Sequence, residues 1–193
     1  AINNRIFLPI LLTVAVRDGI ATATDLDTEL SVKGIPLPDG LYRISADGVL
    51  MPTDMKADEE FPASGFVTPD VRVEVAEGRE LLATIAAASK MTAGGGKDSS
   101  LDAVWLLKAD DQTMNVMASD GGIMYSAPVR ADMSAVADDW MVGLSPQNVA
   151  VLLADRHAPT VTVEYQAEHE EPSRAPRVRF TTPGGVITAR PVE

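Results

Sequence analysis

Two aspartates stand in the same short phrase at two places in the chain. The stretch ATDLDTEL covers residues 23–30 and ASDGGIMY covers residues 118–125, with Asp25 and Asp120 at matching positions after a Thr or Ser. Recurring carboxylates could coordinate a metal or act in acid–base catalysis. An aspartate in a turn more often accepts hydrogen bonds from its own backbone, so we favour a structural role for both. A phrase used twice indicates a structural unit used twice.

Other residue types that support catalysis or phosphate binding are sparse. The two histidines, His157 and His169, have no evident partner for a catalytic triad or a zinc site. Gly94 to Gly96 precede Lys97 but lack the upstream glycine and the following Ser or Thr of a phosphate-binding loop. The chain has no cysteine, which excludes disulfides and thiolate metal ligands. We therefore predict no enzyme activity, no metal site and no cofactor.

Composition places the chain among folded proteins with a real core. It has 193 residues, of which 46% are hydrophobic, and 28 acidic against 16 basic side chains give a net charge of −12. That charge argues against indiscriminate coating of a polyanion, although a small cationic face is compatible with it. No apolar run approaches the roughly 20 residues that span a bilayer, and we identify no targeting segment. Together with the absence of cysteine, this predicts a cytoplasmic protein.

The first third of the chain has the pattern of a strand meander. Residues 7–16 are apolar and β-branched, RDG at 17–19 is typical of a hairpin turn, and alternation follows over 20–32. A short strand is predicted at 42–44. The acidic segment 53–62 is predicted to be a surface loop, and 64–70 is the best linker candidate.

Helical periodicity begins at Val75 and continues through a run of strong helix formers to Met91. A second helix is predicted after Ser145, which can act as N-cap with Pro146 at the first helical position. From Val71 to Val192 the predicted order is strand, helix, three strands, strand, helix, three strands. This order predicts an α+β fold that contains antiparallel sheets, with both helices on one face in the complete domain.

The order of elements and the twin phrases resemble the DNA sliding clamp family, in particular the beta subunit of bacterial DNA polymerase III. The stretch TVAVRDGIATATDLDTELSV is similar to the first-domain version of the family's strand pair and turn, and WLLKADDQTMNVMASDGGIMYSAPV to the second. The LPI at Leu8 to Ile10 and the segment DMKADEEFP are also in the family's style. The resemblance implies a DNA-clamp-like repeat, a processivity factor in DNA replication, and no enzyme activity.

The chain departs from the family's pattern in its first part. Residues 1–70 lack the helices of a full clamp domain and are interpreted as a shortened or truncated clamp-like domain; residues 71–193 form a complete one. The bacterial clamp subunit has three domains, so the resemblance implies that a six-domain ring would need three copies of this chain. The family's His-Arg pair is replaced by Gly122 and Ile123.

The resemblance assigns the helices to the DNA channel, where Lys and Arg contact phosphates without reading sequence. The candidate DNA-facing residues are Arg79, Lys90, Lys97 and Arg156. The alternative is that Arg79 and Lys90 are ordinary solvated positions, and that Arg156 and His157 complement the dipole at the helix C-terminus.

The resemblance also implies a peptide-binding pocket formed by the TDG-like phrase and the start of the second helix. The matching residues are Ser119, Gly121, Gly122, Ile123, Met124 and Val149. A glycine-bearing apolar groove with a methionine suits the Leu and Phe side chains of a short peptide. The alternative is that Ile123 and Met124 are strand core and that the glycines serve the turn.

Three hypotheses follow for function. The first is a clamp-like protein that encircles or leans on duplex DNA, independent of sequence, and tethers a DNA polymerase or another replication or repair partner as a homo-oligomer. The second is a clamp-derived adaptor that binds partner peptides without encircling DNA. The third is an unrelated α+β enzyme whose site the sequence does not reveal.

Overall fold

The computed structural model describes residues 13–54, 61, 65–93, 100–168 and 175–192. Lys97, His169, the glycines at 94–96, Leu8 to Ile10 and most of the acidic segment 53–62 lie outside these residues. Within them the chain forms antiparallel sheets and two α-helices, so the predicted α+β class is confirmed. No helix in these ranges is long and apolar enough to cross a membrane.

The first part of the chain forms five strands and no helix within residues 13–54. They are β1 (Thr13–Arg17), β2 (Ile20–Thr24), β3 (Thr28–Lys33), β4 (Gly40–Ile44) and β5 (Leu50–Pro52). The hairpin between β1 and β2 turns at Asp18 (φ 50°) and Gly19 (φ 71°). Two successive positive φ values define the tight turn that matches the twist of paired strands, as RDG predicts.

An irregular loop, residues 34–39, covers one face of this meander. Its Ile35 and Leu37 pack against the buried cluster that includes Val16 and Tyr42. The Tyr42 hydroxyl donates to the Pro38 carbonyl over 2.7 Å, which fixes the loop over the strands. Within residues 13–54 the meander therefore buries its apolar face without a helix.

The second part repeats one pattern twice, in the predicted order. The first half is β6 (Val71–Val75), α1 (Gly78–Ala88), β7 (Val104–Asp110), β8 (Thr113–Ser119) and β9 (Met124–Arg130). The second half is β10 (Met141–Leu144), α2 (Pro146–Leu152), β11 (Val161–Gln166), β12 (Arg177–Thr181) and β13 (Gly185–Ala189). The first strand of each half pairs with a strand of the other half: β6 pairs with β11, and β10 pairs with β7.

The helices begin where local chemistry dictates. Ser145 caps α2 by accepting a hydrogen bond from the Asn148 N–H over 3.2 Å, and Pro146 occupies the first turn, as predicted. Helix α1 begins at Gly78 rather than Val75, because Val73 and Val75 are buried in β6. A Cβ on Gly78 would lie 2.8 Å from the Ala158 carbonyl oxygen, so this start tolerates no side chain without movement.

One nine-stranded sheet crosses the predicted boundary at residue 70, in the order β5-β4-β1-β2-β3-β13-β12-β11-β6. Its seam is the pairing of β3 with β13, where a Cβ on Gly185 would lie against the Ser31 carbonyl oxygen. The second sheet has the order β10-β7-β8-β9. Buried side chains form two clusters, one within the first meander and one around both helices. The division into domains 1–70 and 71–193 stays a prediction, and the two separate clusters are compatible with it.

Candidate functional site

The two copies of the phrase fold into the same turn. In the first, Asp25 Oδ1 accepts hydrogen bonds from the backbone N–H groups of Asp27, at 3.1 Å, and Thr28, at 2.7 Å. The residue between, Leu26, has a positive φ of 81°, and its N–H donates to the Thr24 hydroxyl over 3.0 Å. The carboxylate therefore holds the turn, which confirms the structural role expected for Asp25.

The second copy repeats these contacts atom for atom. Asp120 Oδ1 accepts from Gly122 at 2.8 Å and Ile123 at 2.7 Å, and Gly121, with φ 90°, donates to the Ser119 hydroxyl. These two backbone N–H groups stabilise the ionised carboxylate and lower the pKa of Asp120, with Ile123 contributing most. Asp120 is therefore a turn-forming anion at neutral pH, as expected for a structural aspartate.

The first copy lies at the seam, against the start of α2. The Thr28 hydroxyl donates to the side-chain carbonyl of Asn148 over 3.0 Å, and the Asn148 amide donates to the Arg190 carbonyl over 2.9 Å. The Gln147 side chain donates to the Asp25 carboxylate. The Arg190 N–H donates to the Asp27 carbonyl over 2.8 Å, so the turn is tied to the second unit from two sides.

The pocket prediction places the start of α2 beside a TDG-like phrase. In the structure, the start of α2 lies beside the first copy of the phrase. Ser119, Gly121, Gly122, Ile123 and Met124 lie together at one end of the four-stranded sheet. Ile123 is 62% exposed and Met124 is 66% exposed, so neither is strand core. Val149 is 3% exposed and belongs to the main core. The pocket that these six residues were predicted to form stays a prediction.

Asn148, Gln147 and Arg190 were not singled out from the sequence. The available signal was the pair of amides at 147–148, which stands in the first turn of a helix whose other inward positions are apolar. A buried amide in such a turn has to find polar partners, and here it finds them across the seam.

Two concavities flank the seam of β3 and β13. Leu30 and Ile187 are cross-strand partners and line one of them together with Val151 of α2, so we call their face of the sheet the helix side and the opposite face the outer face. The helix-side cavity has a volume of about 280 Å³ and is mostly apolar. The concavity on the outer face has a volume of about 560 Å³ and mixes charged and apolar walls, including Ala15, Glu29, Ser31, Phe61, Arg179 and Val186.

Arg179 also connects the outer face to the linker. Its guanidinium lies 3.7 Å from the ring centroid of Phe66, a cation–π contact. The Val67 N–H donates to the side-chain carbonyl of the buried Gln166 over 2.8 Å. The predicted linker therefore has no regular secondary structure but is bound to the second unit. It lies beside the concavity on the outer face, which we call the outer groove.

Two of the predicted DNA-facing cations meet at the ends of the helices. Arg79, at the start of α1, donates from Nε to the His157 carbonyl over 3.1 Å, and Arg156 Nε donates to His157 Nε2 over 3.4 Å. All three side chains belong to exposed residues. We call Arg79 and Arg156, which both donate to His157, the cationic cluster.

Lys90 lies eleven residues after Arg79, in the 3-10 turn Ser89–Met91 that follows α1, so it stands at the opposite end of this helix from Arg79. The exposed positions between them are Glu80 and Ala83, so an acidic side chain lies beside Arg79 in the first turn of α1.

Comparison with solved structures matches the whole of this chain to part of several bacterial sliding clamps. The chain superposes on the DnaN sliding clamp (DNA polymerase III subunit beta) from Pseudomonas aeruginosa bound to griselimycin with a TM-score of 0.72 at 18% identity, covering 100% of this chain and 59% of the clamp. For the Bartonella birtlesii clamp, also bound to griselimycin, the values are 0.73, 16%, 100% and 60%. For the beta subunit from DNA polymerase of Streptococcus pyogenes they are 0.71, 15%, 100% and 60%.

No family model and no curated protein matches the sequence. The fold is that of the sliding clamps, as the sequence resemblance implies. The chain spans about three fifths of the length of these clamps.

Proposed function

We propose that this protein is a non-enzymatic, sliding-clamp-type factor that leans its helices against duplex DNA and tethers a replication or repair partner. The observation that carries the proposal is the cationic cluster, which stands at the exposed ends of both helices in a clamp fold. Contacts from such a cluster go to phosphates and carry no sequence information. The net charge of −12 argues against indiscriminate coating of DNA by the protein.

The partner's peptide has a suitable place in the outer groove. A peptide bound there leaves the helix side free for DNA, so both contacts can be made at once. Phe61 and Val186 supply apolar wall, and Arg179 supplies a cation for a carboxylate or a carbonyl of the ligand. The groove predicted around Ser119 to Met124 is the competing location for the peptide. Point substitutions in the outer groove and in this second location distinguish between them.

Encirclement by three copies is the finer hypothesis that the resemblance implies. Head-to-tail closure needs β9 of one copy to pair with a free edge at the other end of the next copy. Among the described strands of the first unit, β3 is already paired on both sides, so the free edge of that unit is β5. β5 has three residues and contains Pro52, and short edges with proline resist pairing. This strand arrangement favours an open assembly that leans on DNA.

The test is the salt dependence of duplex binding, measured by fluorescence anisotropy. Reversing Arg79 and Arg156 to Glu should weaken binding and reduce the slope of log affinity against log salt by about one per lost phosphate contact. Arg43→Glu is the matched control, because Arg43 is exposed on the outer face. Equal losses in the cluster and control variants would refute a specific role for the cluster.

A further inference from the structure

The helix-side cavity combines apolar walls with one carboxylate. Leu30 of β3, Ile187 of β13 and Val151 of α2 line it. Asp155 lines it as well, from the 3-10 turn Leu153–Asp155 that follows α2. The proposed function leaves this cavity without a role, because the peptide is assigned to the outer groove and DNA to the cationic cluster.

The Asp155 carboxylate is fixed by the turn between β12 and β13. The Thr182 hydroxyl donates to Asp155 Oδ2 over 2.6 Å and accepts from the Gly185 N–H over 3.2 Å. Thr182 is buried and Asp155 is half-buried. Within the described ranges, Asp155 Oδ1 accepts no hydrogen bond. One oxygen therefore orients the carboxylate, and the other is left for the donor of a ligand.

Gly184 provides the room that the carboxylate needs. A Cβ at this position would lie 2.9 Å from Asp155 Oδ2 and 3.8 Å from Thr182 Oγ1. The close approach, rather than an unusual backbone conformation, therefore disfavours a side chain here. A side chain at Gly184 would push the carboxylate away from its partner Thr182.

The chemistry of the cavity selects an apolar stem that ends in a cation. A wholly apolar ligand would shield Asp155 from water and leave it a single hydrogen bond, which is unfavourable for a charged group. An anion, including a DNA phosphate, would be repelled by the carboxylate. A lysine side chain satisfies both parts, because its methylene stem packs on apolar surface and its ammonium donates hydrogen bonds.

Arg156 limits the ligand to one positive charge. It follows Asp155 directly, is exposed, and donates to His157 rather than to the carboxylate. A polyamine that placed one ammonium on Asp155 would bring its other ammonium groups near Arg156, where like charges repel. A single cation on an apolar stem therefore fits better than a polycation.

We propose that the helix-side cavity binds one lysine side chain of a partner protein. The methylenes lie against Leu30, Val151 and Ile187, and the ammonium donates to Asp155 Oδ1. A cavity of about 280 Å³ offers a free amine few contacts, so the remaining affinity comes from the partner's contacts around the rim, where Val32 is 38% exposed.

This inference goes beyond the proposed function and stands whether or not the protein binds DNA. It uses the face opposite the outer groove, so the two partner contacts are independent. Since Arg156 adjoins Asp155, a partner bound in the cavity occupies part of the surface that we assign to DNA. Such a partner and duplex DNA would exclude each other.

The first experiment titrates the full, methyl-labelled chain with n-pentylamine, which reproduces a lysine side chain from Cα to Nζ. We expect the methyl resonances of Leu30, Val151 and Ile187 to shift in NMR spectra. Affinity should be about tenfold higher than for n-pentanol, because the ammonium adds a hydrogen bond to a charged group. Pentanoate should not bind. Equal affinities for amine and alcohol, or shifts confined to other residues, would overturn the proposal.

Matched variants test the role of the carboxylate. Asp155→Asn keeps an acceptor for the Thr182 hydroxyl but removes the charge, so the amine should bind no better than the alcohol while alcohol binding, which reports an intact cavity, persists. Gly184→Ala should also weaken amine binding by displacing the carboxylate. Asp47→Asn, at an exposed turn, is the control for net charge and should change neither affinity. An amine preference that survives both Asp155→Asn and Gly184→Ala would contradict the assignment.

The second experiment identifies the source of the amine. The probes are the capped peptide acetyl-Ala-Leu-Lys-Leu-Ala-amide, the same peptide with acetylated lysine, and spermidine. The lysine peptide should shift the same methyl resonances at least as strongly as n-pentylamine, and acetylation should abolish the effect. Tighter binding of spermidine would identify a free polyamine instead. The same shifts on concentrating the protein alone would identify a second copy, and either result would overturn the assignment to a partner's lysine.

Discussion

Thr28 and Asn148 share a buried hydrogen bond, 3.0 Å long, although 120 residues separate them in the chain. Thr28 is 8% exposed and Asn148 is 5% exposed, so water is largely excluded from both. The Asn148 side-chain N–H donates a hydrogen bond to the Arg190 carbonyl. This single side chain therefore connects β3, α2 and the residue that follows β13, and it fixes the first part of the chain against the second.

Removing the Thr28 hydroxyl should weaken the seam. Thr28→Val keeps the shape of the side chain but leaves the Asn148 carbonyl without its donor, and we expect a loss of about 1–3 kcal/mol in the free energy of unfolding. Urea titration followed by circular dichroism measures it. The control is Thr22→Val, because Thr22 pairs with Ser31 on the outer face, where water can replace the lost partner. A loss no larger than the control's would contradict the account of the seam.

A side chain at Gly78 should separate the helix ends. Gly78→Ala places a Cβ 2.8 Å from the Ala158 carbonyl, and we expect destabilisation of about 1–3 kcal/mol from the forced movement. The same movement shifts Arg79 relative to His157, so duplex binding should fall as well. Gly122→Ala is the control, since its nearest neighbour would be 3.6 Å away. Thermal unfolding of the two variants should differ by several degrees.

The pH dependence of the second turn follows from Asp120. Its pKa is lower in the folded chain than in the unfolded chain, because the N–H groups of Ile123 and Gly122 favour the ionised form. The stabilisation is therefore fully present above the unfolded pKa and is lost as the pH falls through the folded value. Carbon-detected NMR titration should place the midpoint of Asp120 below that of an ordinary aspartate, and Gly122→Pro, which removes one donor, should raise it. An unshifted midpoint in the wild type would contradict the turn geometry.

Two groups of variants distinguish the two candidate binding sites for the partner's peptide. If a short Leu- and Phe-containing polymerase-type peptide binds in the outer groove, Arg179→Glu and Val186→Asp should weaken it about tenfold or more, since they place charge in its wall. Met124→Asp should leave that affinity unchanged in calorimetric titration. The reverse result would locate the peptide at the second copy of the phrase.

Much of the second unit was accessible from the sequence because its signals are local. Ser145 and Pro146 predict the start of α2, and apolar alternation predicts β7, β8 and β11 near their observed bounds. The exchange of first strands between the halves was not accessible, because strand order depends on pairing between distant segments. For the same reason, the sequence predicts the order of the elements along the chain but not the pairing of nine strands into one sheet.

The candidate sites divide in the same way. The carboxylate of Asp25 was correctly interpreted as a turn former, since its partners lie two and three residues away. The position of α2 beside the first phrase depends on Asn148 and Thr28, which no local pattern connects. The meeting of Arg79 and Arg156 at His157 likewise depends on how α1 and α2 pack, although the residue types were identified.

Retention on closed and open DNA tests most directly whether the helix side leans on duplex DNA in an open assembly. The protein is bound to a nicked circular duplex and to the same duplex linearised, and its release into competitor DNA is followed at several salt concentrations. We predict equal release from both forms, faster at higher salt, with Arg79→Glu and Arg156→Glu together lowering affinity about tenfold or more while Arg43→Glu does not. Longer retention on the circle would show that the DNA is encircled, and retention unaffected by the cluster variants would show that the helix side does not hold the DNA.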